Sequence, residues 1–136
     1  MQILVTGVDG FVGRNIALGF LSEGHNIRVL GQDNEALTAN FPSTPRFDYY
    51  QIDEAMAGID YVVHAQAQRF DQTLDASVFQ AINVDLLKDV VTAAKRAGVS
   101  RFVNVSSTHA LDDSCDNAYV QSRKEGAAVV QNVSDP

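Results

Sequence analysis

Two shortages bound this sequence first. It has one cysteine, Cys115, which excludes an internal disulfide framework and a cysteine-based zinc site. Positive charge is also scarce: 10 Lys and Arg stand against 17 Asp and Glu, a formal net charge of -7. Such a chain does not bind nucleic acid through a general phosphate field, so any anionic ligand must be held by local geometry. No apolar run approaches the roughly 18 residues of a membrane span. The N-terminus lacks a basic region ahead of a long apolar stretch, so no secretory signal is visible and a reducing, cytoplasmic compartment is expected. The three histidines are dispersed, with no metal-ligand spacing. Internal repeats and low-complexity tracts are absent. The 136 residues, 46% hydrophobic and 20% charged, suit one domain with one core.

What is present is an alternation of short apolar runs and longer helical stretches. Ile3 to Val5, Ile27 to Leu30, Phe47 to Tyr50, Tyr61 to Val63 and Phe102 to Val105 are mostly β-branched or aromatic and largely continuous. Strands covered on both faces have this character. Between them lie predicted helices over 11–23, 35–41, 76–97 and 118–130, with a short turn or helix over 53–58. Asn34 is a candidate cap for the second, Asp116 or Asn117 for the last, and Gly24 and Gly98 are natural stops. The alternation predicts an α/β fold with a doubly wound parallel sheet of about five strands.

The most informative segment is Thr6-Gly7-Val8-Asp9-Gly10-Phe11-Val12-Gly13, between the first strand and the first helix. Gly7 permits a tight turn, Gly10 leaves room for a pyrophosphate, and Gly13 lets helix and strand pack closely. The helix N-terminus adds unsatisfied N–H donors and a favourable dipole. An acidic protein can bind a dinucleotide in this way.

The chain resembles the extended short-chain dehydrogenase/reductases, the NAD-dependent epimerase/dehydratase family, in these glycines and in six further segments. Asp60 to Ala67 is similar to the family's fourth strand and the small-residue loop after it. Asn83-Val84, Ala93-Ala94 and Gly98 to Val103 are similar to its fourth helix and fifth strand. Ser106-Ser107-Thr108 resembles the hydroxyl cluster ending that strand, and Tyr119 to Arg123 stands where the family has Tyr-x-x-x-Lys. The resemblance implies a Rossmann-type NAD(P)-binding domain over 1–136, incomplete relative to the family. The family's next strand and its C-terminal substrate region have no counterpart here, so the fifth strand is expected to lack a neighbour. The resemblance further implies that Gly7, Gly10, Phe11, Val12 and Gly13 line the pyrophosphate. Ala65 and Ala67 would lie under the ribose and phosphates. His64 is expected to be a packed strand-end histidine rather than a catalyst.

In the family a tyrosine moves a proton to or from a substrate oxygen while hydride passes to or from the nicotinamide. A free phenol titrates at about 10, so a cation beside it is needed to favour the anion. The implied catalytic set is Tyr119, Arg123, Ser107 and Thr108, with Thr108 preferred over Ser107 on the substrate oxygen. The departure is Arg123 for lysine: it keeps the charge but cannot give up its proton. Lys124 follows at five residues, about 140° off the tyrosine face of a regular helix. The alternative for the hydroxyls is strand-end capping. The connection from His109 to Ala118 is short for the family. Cys115 lies in it and is assigned no catalytic role.

At the end of the second strand, an acidic residue selects NAD and a basic one NADP. Here Gly31 and Gln32 hold those positions, with Asp33 either reaching the ribose or capping the short helix. The expectation is NAD or NADP, leaning to NAD. The implied function is an NAD(P)-dependent oxidoreductase, epimerase or dehydratase acting on a hydroxyl-bearing small molecule such as a nucleotide sugar. The alternative is a non-catalytic NAD(P)-binding sensor or scaffold. A homodimer through the long helix and the Tyr119 helix is expected from relatives. Neither nucleic acid nor membrane is an expected partner.

Overall fold

The computed structural model describes residues 1–32, 34–111, 113–114 and 116–134, the side chain of Ser134 excepted. Asp33 and Cys115, both named in the sequence analysis, lie outside the described residues. Five parallel strands form one sheet: β1 (Gln2–Thr6), β2 (Asn26–Leu30), β3 (Arg46–Phe47), β4 (Tyr61–His64) and β5 (Arg101–Asn104). Their spatial order is β3-β2-β1-β4-β5. The sheet therefore grows outward from β1 in both directions, and a crevice opens beyond the carboxyl end of β1, where such folds bind ligands.

The apolar runs are continuous because both faces of the sheet are covered. Ile3 and Val5 pack with Ala17 of α1 (Phe11–Ser22), Leu37 of α2 (Glu35–Asn40) and the adjoining Phe41. Leu4, between them, points the other way. It meets Ala55 and Met56 of α3 (Ile52–Met56) and Val90, Ala93 and Ala94 of α5 (Leu87–Arg96). Side chains alternate across a strand, so successive apolar residues supply two cores. The exception is β5, expected to be covered on both faces. It lies at the edge of the sheet and its Val103 is 45% exposed.

Three predicted elements differ from the structure by more than a residue or two. The run from Phe47 to Tyr50 is not one strand: β3 stops at Phe47, and Tyr49–Gln51 form a 3-10 turn. Asp48 ends the strand by a reciprocal cap, its side chain accepting from the Gln51 backbone while Gln51 Oε1 accepts from the Asp48 N–H at 3.2 Å. The long helix is also not uniform. Between α4 (Ala76–Gln80) and α5 the turn Ala81–Leu86 is π-helical. Asn83 in this wider turn is buried, donating to Ser122 Oγ at 3.0 Å and Gln68 O at 3.1 Å and accepting from Gln68 N at 2.8 Å. These bonds offset the poorer helical geometry. The last helix, α6 (Ala118–Ser134), runs four residues past the predicted Val130 and packs on the π-turn at Gly126. A Cβ there would lie 2.5 Å from Asn83 O. Asn117, not Asp116, caps it, accepting from Val120 N at 2.8 Å.

Asn34 caps α2 as expected, its Oδ1 accepting from Leu37 N at 2.8 Å. Asn34→Ala is expected to destabilise the chain by about 1 kcal/mol. Urea unfolding at neutral pH measures it, and an unchanged midpoint would show that α2 does not depend on the cap.

Candidate functional site

The crevice is assembled around the turn after β1. Gly10 N donates to Gly7 O at 3.1 Å, closing a turn with Val8 and Asp9 at its centre. Gly7 takes φ +70°, a region that favours glycine, and a Cβ on it would lie 2.4 Å from the carbonyl carbon of Ala65. A Cβ on Gly13 would lie 2.2 Å from Gly7 O. Both glycines are thus required by backbone packed against backbone. Gly10 is the N-cap of α1 and offers no side-chain cap, and its carbonyl accepts the first helical bond from Arg14 N at 3.1 Å. The N–H groups of Phe11, Val12 and Gly13 therefore face the crevice without intrahelical partners. Phe11, 76% exposed, flanks them.

Thr6 ties the second wall of the crevice to the first. Its Oγ1 accepts from Ala65 N at 3.2 Å and Gln66 N at 3.4 Å, and it bonds His64 Nδ1 at 2.8 Å. The half-buried Ala65-Gln66-Ala67 loop is thereby held beside Gly7. His64 is buried and stacks on Phe102, and its Nε2 has no partner among the described residues. Burial first, and the nearby Arg123 charge second, hold its pKa down at about 4. It is a neutral, packed histidine.

Beyond the turn lies a cleft of about 390 Å³ lined by Asp9, Gln32, Asp48, Tyr49, Gln66, Asp85 and Asp89, with Ala81, Ile82 and Leu86 of the π-turn. No Lys or Arg is among these lining residues. The Tyr49 phenol is held above its ordinary pKa by burial, then by Asp9 and Asp48, against a lowering hydrogen bond from Thr6. Gly31 sits at the end of β2, where a Cβ would meet open space. Arg28 points away from the cleft, donating to Ala55 O at 3.0 Å and Ala57 O at 2.6 Å at the end of α3.

The second group of candidate residues meets at α6. Tyr119 is half-buried and ringed edge-on by Phe70, Phe79 and His109, with centroids 5.9, 5.8 and 5.4 Å away. His109 belongs to the 3-10 turn Thr108–Leu111, which packs on α6, so the turn bearing Thr108 lies beside Tyr119. Thr108 is exposed. Ser107 is engaged locally, its Oγ 2.9 Å from His109 Nδ1 and accepting from His109 N at 3.2 Å. Both bonds stay within the segment after β5. Arg123 lies on the inner side of α6, where Nη2 donates to Val105 O at 3.3 Å and burial lowers its pKa. Lys124 is turned away and pairs with Asp113 at 3.2 Å, as a regular helix requires.

Sequence reasoning missed Asp48, Tyr49, the bonds of Asn83 and the rings around Tyr119. The Asp48-to-Gln51 spacing was a readable capping signal. Phe70, Phe79 and His109 gave none, because only the fold brings three separate segments to one tyrosine.

The model of the NAD dependent epimerase/dehydratase family matches residues 3–129. A 3-beta-hydroxysteroid dehydrogenase of Mycolicibacterium neoaurum is 31% identical over 121 residues, 78% of this chain and 32% of the relative. A dTDP-glucose 4,6-dehydratase of Streptomyces griseus is 36% identical over 123 residues, 78% of this chain and 38% of the relative. A solved short-chain dehydrogenase/reductase superfamily protein of Agrobacterium tumefaciens, with bound NAD, superposes with a TM-score of 0.81 at 22% identity. That match covers 97% of this chain and 44% of that one. The chain thus spans about a third of the length of these curated relatives. Among the described residues no helix is long and apolar enough to cross a membrane.

Proposed function

The chain belongs to the NAD-dependent epimerase/dehydratase family, and from that premise we propose that it binds NAD(H) in the crevice beyond β1, as the cofactor half of an oxidoreductase. The observation that carries this reading is the glycine turn. Any side chain at Gly7 or Gly13 would collide with backbone, and three N–H groups at the start of α1 are left for an anion. The residues present fit the group. Gly10, Phe11, Val12 and Gly13 hold the pyrophosphate, with Ala65 and Ala67 giving close approach on the opposite wall.

Bound NAD supplies hydride acceptance or donation. The chain's own residues do the rest. Tyr119 moves a proton at the substrate oxygen, and Thr108 hydrogen-bonds that oxygen. Arg123, one helical turn from Tyr119, places a fixed positive charge beneath it. The substrate is a hydroxyl-bearing small molecule, such as a nucleotide sugar. Relatives named for a sterol and for a sugar nucleotide both suit a shared N-terminal machinery.

A second reading, a cofactor-binding module without turnover, is favoured by one observation. The Arg123 guanidinium is already engaged with Val105 O, so it is less available than a free lysine. Calorimetric titration of the chain with NADH tests both readings' common premise. Saturable binding at one site is expected. A folded chain that takes up no NADH would remove the cofactor reading.

A further inference from the structure

The proposed reaction gives Tyr119 a proton to move but leaves that proton without a route to water. Arg123 cannot supply one, because a guanidinium does not give up its proton. Its Nη2 is turned to Val105 O, and its Nε is buried without a partner among the described residues. Of the three rings against Tyr119, Phe70 and Phe79 are hydrocarbon. The third, His109, is an imidazole whose centroid lies 5.4 Å from that of the phenol.

His109 is held at one nitrogen and open at the other. Its Nδ1 lies 2.9 Å from Ser107 Oγ, which also accepts from His109 N at 3.2 Å. Its Nε2 makes no hydrogen bond among the described residues, and the residue is exposed. The free nitrogen is left for a partner or for water. The charges on the surrounding elements are Arg123, Lys124 and Glu125 of α6, Asp113 after the turn, and Arg69 and Asp71 on either side of Phe70. Lys124 pairs with Asp113, and Asp71 accepts from Thr73. Carboxylate, ammonium and guanidinium groups ordinarily keep one charge state near neutral pH, whereas imidazole changes there.

Resting on the reading of Tyr119 as the proton carrier, we propose that His109, oriented by Ser107, exchanges the Tyr119 proton with solvent. When a substrate hydroxyl gives its proton to the phenolate, the restored phenol passes a proton to the neutral imidazole. The imidazolium then releases it to water, and the phenolate is regenerated. In the opposite direction the proton returns through the same groups.

The test is NMR titration of the histidine rings in the native chain, Tyr119→Phe, Ser107→Ala and the double variant, with His109→Gln to assign the resonance. Tyr119→Phe removes only the hydroxyl and keeps the ring, so a purely packing role for His109 leaves its midpoint unmoved. The His109 midpoint is expected to rise by about half a pH unit in Tyr119→Phe, the effect of losing one hydrogen bond to the neutral ring. In the Ser107→Ala background the same change is expected to move it less, because the ring is no longer held. A His109 midpoint that does not rise in Tyr119→Phe overturns the assignment. A rise of equal size with and without Ser107 overturns the orienting role of Ser107 and the proposal with it. NADH titration of the native chain keeps the two readings apart. Binding with uncoupled rings overturns the proton route alone, and a folded chain that takes up no NADH overturns the cofactor reading.

Discussion

Gly13→Ala is expected to destabilise the chain by about 3 kcal/mol, at the upper end of ordinary overpacking, and to abolish dinucleotide binding. The added Cβ would lie 2.2 Å from Gly7 O, 2.6 Å from Gly7 C and 2.9 Å from Thr6 O. All three are backbone atoms of β1 and its turn, so no side-chain rotation relieves the clash. α1 must move away from the sheet, and its N–H groups leave the anion position with it. Gly19, on the same helix, is the internal control. A Cβ there meets nothing within 4 Å, and Gly19→Ala is expected to stabilise by about 0.5–1 kcal/mol through helix propensity alone. Urea unfolding of the two variants, with NADH titration of each, separates the effects. A Gly13→Ala chain that keeps native stability and binds NADH would show that the close approach of helix and turn is not required.

The second large effect is acid lability through His64. Its folded pKa, about 4, lies below the unfolded value of 6.5. The unfolded chain therefore binds the proton more readily. The contribution to stability is complete above pH 6.5 and is lost as pH falls from 6.5 toward 4. The slope is about 1.4 kcal/mol per pH unit, for a total of about 3 kcal/mol. The cause is structural. The ring is buried, stacks on Phe102 and pairs through Nδ1 with the Thr6 hydroxyl. A protonated ring would be desolvated and would face Arg123. Unfolding free energies measured from pH 7 to 4 should fall more steeply for the native chain than for His64→Gln. Parallel curves for the two would place the acid sensitivity elsewhere.

Much of the architecture is legible along the chain because it depends on neighbours. Gly7 and Gly13 mark a strand-to-helix turn by the close backbone approach only glycine tolerates there. Asn34 caps α2 through a bond spanning three residues, and Tyr119 and Arg123 share a face because four residues make about one helical turn. The run from Phe47 to Tyr50 reads as a strand by its apolarity, but the Asp48-to-Gln51 cap breaks it. The long helix reads as uniform because nothing local marks its π-turn. That turn is paired, through Asn83, with Gln68 and with Ser122, 39 residues away.

The sequence by itself determined the parallel α/β order, the glycine turn between strand and helix and the arginine four residues after Tyr119. Each is written in local spacing or in a single residue's backbone freedom. Only the tertiary structure decided that Asp9 acts on Tyr49, that three rings enclose Tyr119 and that Arg123 reaches Val105. Those contacts join segments far apart in the chain. Their geometry follows from how helices settle on a twisted sheet, which local propensity does not encode.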